Sequence, residues 1–462
     1  AKCHSHKYDP ITQKDYYRFY AFFNQTADND QPDERPTLPA PTVEQRERNR
    51  HIDDRIAELK KQLAAPARVA VAALRRTPIP VESLSLLGEI GKLEKSRPVI
   101  AAVPVMVELS PKQRRKTRLM IKGSFLNPGE QVEPGVPAAF PPLPKDAPAD
   151  RLGVVKWLFD PDNPLTARVA VNRYWAQLVG TGLVETEEDF GTQGEMPSHP
   201  ELLDWLATEY VRLGWDTKAF LKLLVTSATY RQSSKVTPDV LAKDPRNRLL
   251  SRGPRFRLEA EMVRDQALAL SGLLSRKMHG PSVYPPQPPG LWQAAFNGQR
   301  TWTTSTGADR YRRGLYTFWR RTVPYPSMAT FDATSRETCT VRRIRTNTPL
   351  QVFVTLNDPC YVEAAQALAR RIVKEGGSTA EEHARFGLRV CLGRPPQSEQ
   401  VKQVMALFET EREHYRKDTK AALALATEPL GPLPAGMDAV ELAAWTVVAN
   451  VLLNLDSVLM KG

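Results

Sequence analysis

The stretch NPLTARVAVNRYWAQLVG, residues 163–180, decides the fold class of this chain. Its Asn-Pro start is typical of a helix N-terminus, because proline fits the first helical turn, and Gly180 is a typical helix end. Val171, Trp175 and Leu178 recur at helical spacing, which places them on one face. The stretch therefore predicts an amphipathic helix whose apolar face must pack against other elements.

Similar patterns follow along the chain. Ser198-x-x-Glu201 is a capping-box pattern before an apolar face that ends at Gly214, and Asp216 caps a further helix through Tyr230. Five more helices are predicted, at residues 258–274, 362–373, 379–392, 398–415 and 439–459. We therefore expect a mainly α protein: a large helical C-terminal domain with an irregular, loop-rich insertion, plus a small β-containing N-terminal part.

The N-terminal part has a different pattern. Residues 43–63 are highly charged with apolar residues at helical spacing, which predicts a solvated helix. Residues 105–109, 118–121 and 132–140 are predicted strands. Residues 134–149 contain six prolines and indicate a linker, so we predict a domain boundary near residue 145.

A short helix is predicted close to the N-terminus. Thr12-x-x-Asp15 is a capping-box pattern. It is followed by an aromatic stripe at helical spacing, formed by Tyr16, Phe19, Tyr20 and Phe23. Such a stripe is more often part of a core than the wall of a cofactor site, so we expect it to be buried.

The composition fits a globular protein of two or three domains, since 462 residues exceed what one core usually serves and 41% of them are apolar. The net charge of +12 favours an acidic partner, such as an anionic glycan or a membrane surface. The basic residues are spread rather than grouped, so we do not expect nucleic acid binding, and a solvated basic surface explains the charge equally well. The most apolar stretch, residues 442–455, is too short to span a bilayer and predicts a buried helix.

The first seven residues, AKCHSHK, place a cysteine directly before a histidine. A further cysteine immediately before Ala1 would complete Cys-x-x-Cys-His, the attachment pattern of c-type haem, in which the histidine is an axial iron ligand. Cys3 and His4 are therefore candidate haem-binding residues, and His4 is the candidate iron ligand. Two other interpretations stay open: a structural histidine beside a buried thiol, and a metal site that includes His6.

Residues 280–361 interrupt the helical pattern with prolines, glycines and aromatic residues, which predicts an ordered surface that forms a site. Guanidinium groups suit carboxylate, sulfate and phosphate, and tryptophans such as Trp292, Trp302 and Trp319 offer stacking faces for sugars. The candidate anion-binding residues in this segment are Arg336, Arg342, Arg343 and Arg345.

A structural interpretation of these arginines stays open. They are equally consistent with internal ion pairs, for which the candidate partners are Glu337, Asp332 and Asp358. Val341 and Ile344 flank the central pair of arginines and are expected to face the core. This arrangement favours the structural interpretation for that pair.

Evidence for catalysis is weaker. Cys339 lies between basic residues that would lower its pKa, but no histidine is near it in sequence. An acidic segment followed by His199 is a second candidate, although a solvated loop explains it as well; its acids are Glu185, Glu187, Glu188 and Asp189. Whether the protein is an enzyme therefore stays open.

Several segments together resemble a known family. They include AKCHSHKYDPITQKDYYRFYAFFN at residues 1–24, NRLLSRGPRFRLEAEMVRDQALALSGLL at 247–274, SRETCTVRRIRTNTPLQ at 335–351 and LNDP at 356–359. The chain resembles, over nearly its whole length, planctomycete-type exported proteins that combine a planctomycete cytochrome c-like domain with a planctomycete-specific C-terminal domain. Both are domains of unknown function.

The resemblance implies a division into three parts. Residues 1–26 would be the C-terminal end of a cytochrome c-like domain, with a truncated haem-attachment motif. Residues 27–145 would form a charged helix and a small β-containing linker region. Residues 146–462 would be the planctomycete-specific helical domain.

The resemblance also implies a function. A cysteine is expected before Ala1, so that Cys3 and His4 belong to a haem c motif; without that cysteine no cofactor is expected. Export to the periplasm or cell surface, a redox partner protein, and haem-linked electron transfer or redox coupling at the cell envelope would follow. The alternatives are a surface protein that binds or processes acidic or sulfated glycans, and a structural envelope protein with a vestigial motif.

Overall fold

The computed structural model describes residues 1–27, 33, 35–63, 81–295 and 298–461. The chain forms two compact units, Ala1–Pro164 and Leu165–Gly462. The predicted mainly α fold is confirmed, with two-stranded sheets as the β structure of the described residues. The first unit extends past the boundary predicted near residue 145, and the three-part division of the chain stays a prediction.

The first unit contains four described helices and four strands. The helices are α1 (Gln13–Phe23), α2 (Val43–Leu63), α3 (Val81–Lys95) and α4 (Arg151–Leu158). The strands are β1 (Thr37–Pro39), β2 (Ala102–Pro104), β3 (Thr117–Met120) and β4 (Pro128–Val132). Strands β1 and β2 pair antiparallel, with Leu38 opposite Val103, and β3 and β4 form an antiparallel hairpin in which Thr117 lies opposite Val132.

The predicted strands at 105–109 and 132–140 were wrong. Strand β2 ends at Pro104, and β4 ends at Val132, where the predicted strand was to begin. Prolines donate no backbone hydrogen bond, so a ladder cannot continue through the proline-rich residues that follow β4. The strand predicted at 118–121 is confirmed as β3, shifted by one residue.

Helix α1 begins with the predicted capping box, in which Thr12 and Asp15 exchange side-chain and backbone hydrogen bonds. Its buried side is different from the one expected. Phe22 is fully buried with Val136, Val154 and Trp157, and half-buried Phe19 of the stripe packs against this cluster. Tyr16 is half-buried, and Tyr20 and Phe23 are exposed, so the prediction that the stripe is core was wrong except for Phe19.

The second unit contains the remaining helices and one short sheet. Its first part holds α5 (Thr166–Val179), α6 (Pro200–Arg212), α7 (Thr217–Thr226), α8 (Ala228–Arg231), α9 (Pro238–Lys243) and α10 (Ala260–Ser271). The central part holds α11 (Leu291–Ala295), α12 (Pro326–Thr330), α13 (Pro349–Asn357) and α14 (Pro359–Glu375). The last part holds α15 (Ala380–Leu392), α16 (Ser398–Lys417), α17 (Thr419–Thr427), α18 (Ala439–Leu453) and α19 (Asp456–Leu459).

Two apolar clusters stabilise this unit. The predicted face of α5, with Val171 and Trp175, is buried against α6 and α7. The larger cluster surrounds α18, which is apolar on all sides and packs against α14, α16 and α17. Within it the indole of Trp445 is fully buried and stacks on Phe408, with ring centroids 4.3 Å apart. A helix that is hydrophobic all round belongs inside a core, as its sequence predicted.

A short antiparallel sheet joins the middle of this unit to residues after α19. Strand β5 (Phe256–Arg257) pairs with β6 (Met460–Lys461), with Arg257 opposite Met460. The Lys461 ammonium donates to the carbonyl of Leu178 at 3.0 Å.

Among the described residues, the helices are all too short or too polar to cross a lipid bilayer.

Candidate functional site

The N-terminal segment is held against α1 by hydrogen bonds to its backbone. The carbonyl of Lys2 accepts from the Gln13 amide at 2.9 Å and from the Tyr17 hydroxyl at 3.2 Å. The His6 N–H donates to the carbonyl of Ile11 at 2.8 Å. Cys3 and His4 therefore lie in a turn that is fixed at one end to α1 and at the other to Ile11, just before the helix.

The contact of His4 with the Ser5 backbone defines the tautomer of its neutral ring. Its Nδ1 lies 2.7 Å from the carbonyl oxygen of Ser5, which can only accept, so Nδ1 carries the proton. The lone pair is then on Nε2 of an exposed ring. Histidines that bind metals are usually oriented in this way, with the other nitrogen donating to a carbonyl.

Cys3 is exposed and lies against the turn that precedes β4. A Cβ added to Gly123, whose φ is +73°, would come within 2.7 Å of the Cys3 sulfur. The same turn carries three exposed apolar side chains, since Ile121, Phe125 and Leu126 are 51%, 78% and 75% exposed. No local pattern in the sequence indicates that this turn approaches Cys3, because the two are far apart along the chain.

The aromatic face of α1 lines an open cleft. The cleft has a volume of about 370 Å³ and an almost entirely apolar surface. It is formed by Ile11, Asp15, Tyr16, Phe19, Tyr20, Phe23 and Pro137.

A metal site built on Cys3, His4 and His6 finds no support. The ring of His6 is turned towards Asp9. Its Nδ1 accepts a hydrogen bond from the Asp9 N–H at 3.0 Å and lies 3.1 Å from the Asp9 carboxylate. Within the part of the chain that the structure describes, no three His, Cys, Asp or Glu side chains are grouped to hold a metal ion.

In the second unit, Arg343 is held by two carboxylates. Its Nη1 lies 2.6 Å from Glu261 and 3.3 Å from Glu259, and its Nη2 makes a second bond to Glu261. The hydrogen bond to Glu261 raises the pKa of Arg343. The Arg343 hydrogen bond helps to hold the pKa of Glu261 below its usual value, although burial acts in the opposite direction. Arg343 is thus an internal ion-pair partner.

The other candidate arginines differ in exposure. Arg345 donates to the carbonyl of Gly180 at 3.1 Å and lies over the ring of Phe256 at 4.4 Å. Arg342 is exposed and its guanidinium lies 3.6 Å from the exposed carboxylate of Glu188. Exposed Arg336 stacks over Trp319 at 5.2 Å. The four side chains do not converge on one open anion site.

The ion-pair partners named from the sequence were not the ones used. Asp332 accepts from the N–H and hydroxyl of Thr346, and Asp358 caps α14 by accepting from the N–H of Cys360. Val341 and Ile344 are 39% and 76% exposed, so the expectation that they face the core was wrong.

Residues 150–408, more than half of the chain, match the family PSD1, described as a protein of unknown function (DUF1553). The chain belongs to the PSD1 family. Residues 1–28 match a second family, PSCyt2, also described as a protein of unknown function (DUF1549). The resemblance to planctomycete proteins that combine these two domains is thereby confirmed. Searches of the curated proteins and of the solved structures gave no significant match.

The PSD1 region contains the arginines and the two catalytic candidates. Cys339 is exposed, and no hydrogen bond to a histidine is seen for it among the described residues. The acidic segment is largely held by arginines: Glu185 pairs with Arg246 and Glu188 with Arg342. Burial raises the pKa of Glu187, which lies between these groups. Cys3 and His4 lie in the PSCyt2 region, residues 1–28.

Proposed function

We propose that this chain is part of an exported, c-type-cytochrome-related protein in which Cys3 and His4 bind haem c for electron transfer or redox coupling at the cell envelope. The observation that carries the proposal is the tautomer of His4, which leaves Nε2 available on an exposed ring. The two family matches support the cytochrome-related assignment.

The residues around Cys3 fit such a group. Cys3 is exposed and forms no disulfide, and the absence of a Cβ at Gly123 lets the Cys3 sulfur lie close to the turn. The exposed apolar side chains of Ile121, Phe125 and Leu126 offer a surface of the kind that a macrocycle needs. When bound, haem supplies one-electron chemistry, and this chain would contribute one thioether sulfur and one axial nitrogen.

Expression with c-type maturation tests the proposal. A single cysteine placed directly before Ala1 completes the attachment pattern, and the purified protein should then carry covalent haem in a pyridine haemochrome spectrum. Cys3→Ser should lose one thioether, which changes the position of that band. His4→Ala should lose the axial nitrogen, which is measured in the visible spectrum without pyridine, because pyridine replaces the axial ligands of the protein. His6→Ala is the matched control, since His6 is bonded to Asp9, and it should retain the band.

One outcome of this experiment would contradict the proposal. Folded protein without covalent haem, from cells in which a control cytochrome matures normally, would reject the redox function. A structural envelope protein with a vestigial motif would then be the better interpretation.

A second candidate function rests on the exposed arginines. Arg342 and Arg336 keep exposed guanidinium groups, and the second lies on a tryptophan face. An acidic or sulfated oligosaccharide that binds there should lose affinity as salt rises, since exposed charges are screened over about 8 Å at physiological ionic strength. Binding by the full chain that is unchanged in Arg342→Ala would reject a role for Arg342.

A further inference from the structure

The side chain of Arg257 is buried without partners. It lies on β5, is only 8% exposed, and neither its Nε nor its Nη2 has a hydrogen-bond partner. These two N–H groups form the side-on edge of a guanidinium, the edge that binds a carboxylate through two parallel hydrogen bonds. Both N–H groups of this edge are thus buried inside the protein without a hydrogen-bond partner.

The charge of Arg257 is also only partly compensated. No ion pair joins it to a carboxylate among the residues that the structure describes, and burial lowers its pKa. The carboxylates of Asp456 and Asp332 act on it electrostatically, but their hydrogen bonds go to Arg255 and Thr346 instead. A guanidinium stays protonated in proteins, so a buried one needs a counter-charge. The ring of Phe331, 5.7 Å away, supplies only a partial one.

Arg257 lines a small recess with further unpartnered polar atoms. The recess measures about 10 Å³, which is room for one water-sized atom or ion. The Nε of Arg345 and the Oε1 of fully buried Gln351, both on its wall, have no partner either. The residues that line the recess therefore carry three N–H donors and one acceptor without partners, together with the carboxylates of Glu259 and Asp332, which are bonded to Arg343 and Thr346.

We propose that this recess is an anion-binding site, in which one negatively charged atom accepts hydrogen bonds from Nε and Nη2 of Arg257. The atom is either a halide ion or one oxygen of an oxyanion group, such as a carboxylate or sulfate. The site is distinct from the haem site and from the exposed arginines, and it does not depend on the proposed function. A water molecule would satisfy the donors but would place no negative charge in contact with the Arg257 guanidinium.

Melting of the full chain at matched ionic strength tests the site. Sodium bromide, sodium acetate and sodium sulfate are compared with a low-anion buffer. An anion that binds only the folded state should raise the melting temperature by about 2–4 °C at concentrations well above its Kd. Stabilisation by bromide alone identifies a halide site, and stabilisation by acetate or sulfate identifies an oxyanion site.

Two charge-matched variants separate binding from a general salt effect. Arg257→Gln should abolish the anion-dependent rise. Arg255→Gln, which removes an exposed guanidinium two residues away, should retain it. Equal responses of the wild type and Arg257→Gln to every salt would mean that the recess holds water only, and would overturn the proposal.

A crystal of the wild-type chain soaked in bromide provides a measurement that does not depend on the variants folding. Anomalous density should lie within hydrogen-bonding distance of Nε and Nη2 of Arg257 if the site takes halides. A crystal soaked in acetate should show one carboxylate oxygen there if it takes oxyanions. An ordinary water peak under both conditions would reject the site.

Discussion

Arg342 and Arg343 are neighbours in the chain with opposite surroundings. Arg343 is mostly buried and bonds two carboxylates, whereas Arg342 and its partner are both about half exposed. The sequence predicted that arginines here would form internal ion pairs as one of two possibilities. It could not name Glu261, because the two residues are 82 positions apart and no local pattern links them.

The first prediction compares these two arginines. Arg343→Ala should lower the free energy of unfolding by about 3 kcal/mol, because it leaves the partly buried carboxylate of Glu261 unpaired, while Glu259 keeps Arg345. Arg342→Ala should cost less than about 1 kcal/mol, as for an exposed pair. Urea denaturation of both variants measures the difference. Adding Glu261→Gln to Arg343→Ala should recover part of the loss; equal costs for the two single variants would contradict this account.

The second prediction concerns Asp358, the N-cap of α14. Burial raises the pKa of its carboxyl to about 6, above the value of 3.8 expected in the unfolded chain. The folded state therefore binds the proton more tightly, so this group destabilises the protein as the pH rises from about 4 to about 6, by up to about 3 kcal/mol. Asn is as effective an N-cap as Asp, and its side chain does not titrate.

Asp358→Asn should therefore be more stable than the wild type at pH 7, and the gap should close towards pH 4. The measurement is the free energy of unfolding of both proteins across this range, compared pairwise so that other titrating groups cancel. A gap that stays constant with pH would show that Asp358 does not titrate in this window.

At the scale of single elements, helix bounds were more predictable than buried faces. The capping box of α1 is local chemistry between Thr12 and Asp15, and it places the start of the helix correctly. Which aromatic side is buried depends on what packs against it, here Val136 and Trp157. These residues lie more than a hundred positions away, so the pattern within the helix could not choose between the two sides.

The third prediction uses two adjacent phenylalanines of α1. Phe22→Ala should cost about 3–5 kcal/mol, because the side chain is fully buried in the core of the first unit. Phe23→Ala should cost less than about 1 kcal/mol, because this ring is 41% exposed on the cleft. Thermal unfolding of both variants checks the difference. Similar losses would mean that the cleft side is covered in solution.

At the scale of the whole molecule, the predicted boundary near residue 145 would assign α4 to the second part of the chain. The structure has α4 in the first compact unit, Ala1–Pro164. Trp157 of α4 packs against Phe19 and Phe140 of the first unit, with ring centroids 6.2 Å and 6.1 Å away. The proline-rich segment before α4 has the composition of a linker. Composition alone could not reveal that α4, which follows this segment, packs in the first unit.

The fourth prediction compares fragments 146–462 and 165–462. Both should unfold cooperatively with the same melting temperature, because the core around α18 is complete in each. Residues 146–164 of the longer fragment should be cleaved quickly by protease, since their packing partners are missing. Lasting protection of this segment would instead support a boundary near residue 145.

The position of α18 in the chain affects how the protein is made. A ribosome delivers α14 and α16 before the helix that fills the space between them, so the apolar surfaces of those helices emerge uncovered. Intermediates of this kind are prone to aggregation during synthesis. The second unit cannot complete its core until translation has passed residue 453, so binding by a chaperone during elongation, or secretion in an unfolded form, would protect the nascent chain.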